Sequence, residues 1–498
     1  MDSTAVGAGI ESPGTEPSAE DRHFATAFVR FVESMNRLAA APQPPLTPLG
    51  VVVSEHLGAD LARVDPVTEQ YRDHQVVDLD RAVNRLDAEN GGHLVGISGT
   101  DRMSVDSFVG FLTGSYQAVA VGSVNYLRMA DGPESETTVV GFGASLLRFE
   151  DQPLAVMRRS GNARYGREFY TVEVLCPDAE VARRYLDRIG ELMAADSILR
   201  GQVLSFVPND FDHHGVGSGI TFHHRPAVPA EAVVLPDGVL DRVVGHVVGI
   251  GEERKALRAA GQHLKRGVLL YGPPGTGKTH VVRHLLTRTP ETTVVLLSGR
   301  TLGLLTVATK LARAHQPALV VLEDCDLVAE DRNVEDDSTM LFETLEALDG
   351  LDGDADVAFL LTTNRPDLLE RALTERPGRV DLAVHIDRPD LLGRRRLLDL
   401  YARGLDLPSE VLDEAAEQSA GATASFTKEL VRRTVLLAAQ AGRVPAADDL
   451  RTALAAITSD AETFTRTLLG GGTTGGHRYD PLGFDADAED DLDEDFVD

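Results

Sequence analysis

Between residues 266 and 386, short apolar runs alternate with amphipathic stretches of helical period. The runs "VLLY" (268–271), "TVVLLS" (293–298), "ALVVL" (318–322), "VAFLLTT" (357–363) and "LAVHI" (382–386) are too continuous for strands with one wet face. They predict a parallel sheet covered by helices on both sides. Upstream the pattern differs: "QAVAVGSVNYLRM", "TTVVGFGASLLRF", "LAVMRR" and "EFYTVEVL" read as strands, followed by a helix over 178–195 and a strand at "QVLSFV". This predicts an α+β N-terminal domain. Further upstream, "DRHFATAFVRFVESMNRLA" (21–39) sets Phe24, Phe28, Phe31, Val32 and Met35 on one helical stripe, read as a packing face, and "APQPPLTPLG" breaks it.

The two ends carry neither period. Residues 1–20 are small, polar and rich in Pro and Gly, and the C-terminal end runs from "GGGTTGG" into "DADAEDDLDEDFVD", compositions that predict disorder. A chain of 498 residues exceeds what one core fills. The expected partition is a disordered segment 1–20, an N-terminal partner-recognition domain and linker 21–225, a nucleotide-binding domain 226–387, a helical domain 388–465 and a Gly-rich, acidic tail 466–498. "GVGSG" (215–219) lacks the strand-then-helix context of a dinucleotide fingerprint and reads as linker. There is no internal repeat.

Charge changes the picture in one respect. The formal net charge is −30, nine of those acids lying in the last fourteen residues, a balance that argues against broad binding to a phosphate backbone. No nucleic-acid partner is expected. No apolar run approaches the ~20 residues that span a bilayer, and the two cysteines, Cys176 and Cys325, lie far apart. A cytoplasmic protein without a membrane role is expected.

The strongest chemical signal is "GVLLYGPPGTGKTHVVRHLL" (267–286). An apolar strand feeds Gly272, Pro273, Pro274, Gly275, Thr276, Gly277, Lys278, Thr279 and His280, and an amphipathic helix comes at once after them. That context is the one a phosphate-binding loop requires: glycines turn backbone N–H groups inward, Lys278 reaches the β/γ-phosphates and Thr279 offers a hydroxyl to Mg²⁺. A Gly/Pro turn before a helix explains the glycines but not Lys-Thr at this offset.

The other strand ends supply the remaining parts. "ALVVL" delivers Glu323 and Asp324 side by side, then Cys325 and Asp326. A nucleotide bound with its metal needs one carboxylate on the metal side and one to orient the attacking water. The next strand ends at Asn364, placed to polarise that water or touch the γ-phosphate. Arg376 and Arg379 come next, in "RPGR", either as surface ion pairs or as transition-state stabilisers supplied in cis or by a neighbouring molecule.

Together these residues resemble an AAA+ ATPase of the AAA subgroup over roughly 230–460. "LLYGPPGTGKT" is similar to its Walker A element, "VVLEDCD" to Walker B, "LTTNRPD" to sensor 1, "RPGR" to the paired arginine fingers, and "GATASFTKELVRRTVLLAA" to the sensor 2 helix, with Ala424-Ser425 where the subgroup has Gly-Ala. The resemblance implies an α/β P-loop NTPase with a parallel sheet and helical lid, ATP and Mg²⁺ as cofactors, and a homo-oligomeric ring, hexameric by expectation. The Walker B order, Glu-Asp-x-Asp instead of Asp-Glu-x-Asp, resembles the clade of the mitochondrial translocase for folded Rieske protein. In that register Glu323 takes the metal side with Thr279, and Asp324 the water side.

Two departures bound what the resemblance implies. The clade's transmembrane segment is missing, and so is the aromatic pore loop of threading unfoldases, for which Leu302-Gly303-Leu304-Leu305 is the candidate replacement. The expected function is ATP-driven remodelling or disassembly of a protein partner, with an ATP-gated oligomeric scaffold as the alternative.

Overall fold

Pro48, inside the stretch that should break the first helix, starts another. It occupies the first turn of α1 (Pro48–Leu57), where its missing N–H costs nothing, while the Thr47 hydroxyl accepts from Gly50 N at 3.0 Å and Gly58 closes the helix in a left-handed conformation. In this computed structural model residues 24, 26–32, 34, 45–99, 107–114, 119–162, 167–207, 219–325, 355–365 and 380–459 are described. Both expected disordered ends therefore lie outside the described residues.

The chain divides into two compact units, one of Met1–Tyr71, Leu79–Leu127 and Thr138–Glu191, the other of Arg72–Asp78, Arg128–Thr137 and Leu192–Asp498. In the first, strands β1 (Val67–Tyr71), β2 (His93–Ser98), β3 (Ala120–Gly122), β5 (Glu136–Phe149), β6 (Gln152–Arg159) and β7 (Tyr170–Leu175) form an antiparallel sheet in the order β1-β7-β6-β5-β2-β3, with β4 (Asn125–Ala130) pairing β5 off this path. Leu49, Val53, Phe108, Phe111 and Met157 are among the core side chains of one face. The fully buried Arg158 is held by Asp80 Oδ1 at 2.9 Å and Asn84 Oδ1 at 2.9 Å, since a buried guanidinium persists only when paired. Buried Cys176 has its thiol pushed up by burial, as expected of a small core residue. Of the first helical stripe, Phe24, Phe28 and Phe31 are helical and 71%, 54% and 60% exposed among the described residues, and Met35 lies outside them. Period sets a stripe and not what packs on it.

The second unit holds a seven-stranded sheet in the order β14-β10-β13-β12-β11-β8-β9. Its strands are β8 (Val203–Phe206), β9 (Ile220–His223), β10 (Arg266–Tyr271), β11 (Thr293–Ser298), β12 (Ala318–Glu323), β13 (Val357–Thr363) and β14 (Leu382–His385). Every apolar run predicted from 268 onward is a strand of it, and all pair in parallel except the edge strand β9. The expectation for "QVLSFV" is corrected: β8 does not join the N-terminal sheet but lies beside β11, Val203–Ser205 against Val294–Leu296. Helices α2 (Lys278–Arg288) and α3 (Leu305–Ala314) contribute to two cores, α2 through Val281, Val282 and Leu285, α3 through Leu305, Ala308 and Leu311. Both faces are thus apolar, as continuous strands require. Four further helices, α4 (Leu391–Tyr401), α5 (Ser409–Gln418), α6 (Ala424–Gln440) and α7 (Ala447–Thr458), share a cluster around Leu398, Phe426, Leu430 and Leu454.

Two half-buried histidines, His74 and His315, make this unit sensitive to pH. Burial, reinforced by Arg72 and His315, pushes the His74 imidazole down from 6.5 to about 4, and burial also lowers His315. The unfolded chain takes up a proton first, so stability present in full above about pH 6.5 is lost as the pH falls toward 4, by up to about 3 kcal/mol. Asp73, raised by burial, acts in the opposite sense at the acid end. The urea midpoint of His74→Gln should therefore fall less than wild type between pH 7.5 and 5; an unchanged difference would overturn the assignment.

Candidate functional site

Strand β10 runs directly into a loop with a positive φ at Gly272, Gly275 and Gly277, two of which also meet close neighbours. At Gly272, φ is +145° and a Cβ would lie 2.2 Å from the Ile386 carbonyl oxygen; at Gly275, φ is +75° and a Cβ would meet Ser425 Oγ at 2.9 Å. The loop then turns into α2, whose first residue is Lys278. Thr276 Oγ1 donates to Pro273 O at 2.9 Å, folding the loop on itself, while Pro274 stays exposed.

Lys278 is 6% exposed and its ammonium donates to Gly272 O at 2.8 Å, Pro273 O at 2.9 Å and Asn364 Oδ1 at 2.7 Å. The last of these joins the phosphate loop to the tip of β13. Asn364 Nδ2 reaches Asp324 Oδ1 at 3.5 Å, so Lys278, Asn364 and Asp324 form one line of polar contacts at the carboxyl ends of β10, β13 and β12. Open α/β sheets bind ligands at this end. Glu323, the last residue of β12, bonds through its side chain to Thr279; burial, then the Asp324 charge, pushes its carboxyl up, against the Thr279 bond and Arg283. His280 is held low by burial, against a hydrogen bond with the Ala232 backbone.

The structure thus brings together the loop residues 272–280, Glu323, Asp324 and Asn364. Arg376, Arg379 and Asp326 lie outside the described residues. Two residues at the site lie inside the sequence motifs without an assigned role there. Ser425, whose N–H donates to Gly275 O at 3.1 Å, docks the start of α6 on the phosphate loop. Thr362, 1% exposed, accepts the Asp324 N–H at 3.0 Å. Of the candidate pore segment, Leu302 and Leu305 are 1% and 2% exposed in the core under the sheet, while Gly303 is exposed and Leu304 half-buried.

The residues suit a nucleotide with its metal. A Thr hydroxyl beside a half-buried carboxylate is a hard-oxygen pair of the kind Mg²⁺ takes when phosphates and water complete its shell. Among the described residues no group of three or more His, Cys, Asp or Glu could hold an ion alone.

Comparison with known proteins agrees. Residues 268–388 match the model of the ATPase family associated with various cellular activities (AAA). The chain is similar to the ATP-dependent zinc metalloprotease FtsH of Thermus thermophilus, 34% identical over 199 residues, which cover 37% of this chain and 32% of the relative. It is 32% identical to FtsH 1 of Conexibacter woesei over 207 residues (39% and 32%), and 30% identical to FtsH of Clostridium perfringens over 273 (51% and 36%). The chain spans about a third of the length of these relatives. Residues 268–388 therefore form an AAA ATPase domain, the ATP-hydrolysing module of the AAA+ family, whose cofactors are ATP and Mg²⁺.

Proposed function

We propose that this chain is a Mg-dependent ATP hydrolase that assembles as a homo-oligomeric ring, a hexamer, and couples turnover to remodelling or disassembling a protein partner recognised by the part of residues 21–225 that forms the antiparallel-sheet unit, β8 and β9 belonging to the nucleotide-binding sheet. The observation that carries the reading is the line Lys278, Asn364, Asp324 beside the pair Thr279 and Glu323. Lys278 would meet the β/γ-phosphates, Thr279 and Glu323 would hold Mg²⁺, which would supply neutralisation of phosphate charge, and Asp324 with Asn364 would orient the attacking water. The remaining loop residues, Gly272 to Gly277, present backbone N–H groups, and His280 borders the nucleotide. Arg376 and Arg379 act as arginine fingers. The finer placement, near the Rieske-protein translocase, rests on the Glu-Asp-x-Asp order and "KRGVLLYGPPGTGKT".

No helix among the described residues is long and apolar enough to cross a membrane; a cytoplasmic protein that engages neither membrane nor nucleic acid is part of the proposal. The proteolysis in the relatives' name is not, because the His-Glu-x-x-His pair of zinc peptidases does not occur in the sequence. The burial of Leu302 and Leu305 favours the second reading, an ATP-gated scaffold that grips no threaded chain.

The two readings separate on capture from native lysate. The Asp324→Asn chain should retain a partner in ATP that wild type releases during turnover but keeps in a non-hydrolysable analogue, with Lys278→Ala, unable to hold nucleotide, as control. Release by the analogue as fast as by ATP would leave only the scaffold.

A further inference from the structure

Three described residues other than glycine have a positive φ: Glu150, Asp151 and Asp324. The first two sit in the turn between β5 and β6, where such a conformation is ordinary. Asp324, with φ +50°, is at the mouth of the nucleotide site, where strain of this kind persists only if the surroundings impose it. What imposes it is visible. The β12–β13 ladder ends at Leu322 opposite Leu361, and the β11–β12 ladder one residue later at Glu323 opposite Ser298, so Asp324 is the first residue of the chain beyond both ladders. Thr362, buried on the central strand β13 and fixed by pairing with Leu270 of β10, presents its hydroxyl at 3.0 Å to the Asp324 N–H.

The turn has a consequence for the two acids. Successive residues of an extended strand point to opposite faces, which would send Glu323 and Asp324 apart. Instead Glu323 bonds Thr279, while Asp324 sits within 3.5 Å of Asn364 and close enough to Glu323 for its charge to be felt there. The left-handed turn cancels the alternation and brings both carboxylates to the phosphate side.

We propose that Thr362 is a positioning residue for ATP hydrolysis: by holding the Asp324 N–H it fixes the left-handed turn that carries a carboxylate one methylene shorter than glutamate to the attacking water. This rests on the reading of Asp324 as the water-side acid. It also explains how the acid order can be swapped without loss of the pair, since a backbone rotation replaces side-chain length.

The test is steady-state ATPase kinetics with independent Mg-ATP binding on Thr362→Val, which keeps the volume and removes the acceptor, and on Thr362→Ser, which keeps the acceptor. Thr362→Val should lose roughly tenfold in kcat, the rate equivalent of one neutral hydrogen bond, with Mg-ATP affinity unchanged, and Thr362→Ser should stay within about twofold of wild type. On an Asp324→Asn background the Val substitution should cost nothing more, because the group it positions is already gone; a general loosening of the fold would slow both backgrounds alike. If Thr362→Val does not fold, Thr362→Cys, of similar volume and a poor acceptor, takes its place on the same criteria. Wild-type kcat in Thr362→Val alongside an inactive Asp324→Asn would overturn the positioning role alone. Normal turnover by Asp324→Asn would instead remove the reading beneath it, and the proposal with it.

Discussion

Asp324→Asn is expected to bind Mg-ATP as wild type does and to lose at least about 100-fold in turnover, the scale of removing a general base or water-orienting group. Glu323→Gln is expected to fail differently, through a rightward shift in the Mg²⁺ titration. The distinction rests on which groups each acid meets. Glu323 bonds the Thr279 side chain, whose hydroxyl is the loop's metal ligand in the proposed site, and burial already raises its carboxyl, so it gains most from a cation nearby. Asp324 contacts Asn364 and not Thr279 among its described hydrogen bonds. Measuring Mg-ATP affinity, Mg²⁺ dependence and kcat on both variants decides the register. If Glu323→Gln binds Mg-ATP tightly yet is inactive, while Asp324→Asn turns over normally, metal side and water side are reversed.

What the sequence made legible here was whatever depends on local order along the chain. The five apolar runs became β10 to β14 because a strand buried on both faces has no choice but to be continuous, and the phosphate loop was legible with them because Gly-x4-Gly-Lys-Thr needs strand before and helix after. Partnership between segments was not legible. "QVLSFV" reads as a strand equally well in either sheet; only its pairing with Val294–Leu296 assigns it to the nucleotide-binding sheet. In the same way nothing in "LTTN" distinguishes Thr362, which holds Asp324 N–H, from Thr363, which accepts from the Arg365 N–H. A positive φ at an aspartate leaves no mark in the pattern, since Asp tolerates that region without requiring it.

Mixing Arg379→Ala subunits with Asp324→Asn subunits, each nearly inactive alone, is expected to restore ATP hydrolysis. Arg379 lies outside the described residues; the expectation rests on the resemblance of "RPGR" to paired arginine fingers, which P-loop enzymes take in cis or from a neighbouring molecule. Arginines delivered by a neighbour contribute about 10³-fold or more to hydrolysis. An isolated protomer should then bind ATP but scarcely turn it over, with specific activity rising as protein concentration drives assembly. In the mixture, Asp324→Asn subunits lend Arg379 to sites whose own water-side carboxylate is intact, so only mixed interfaces become active. A protomer shown by light scattering to stay monomeric across the assay range, yet hydrolysing ATP at the full rate, would end the trans assignment.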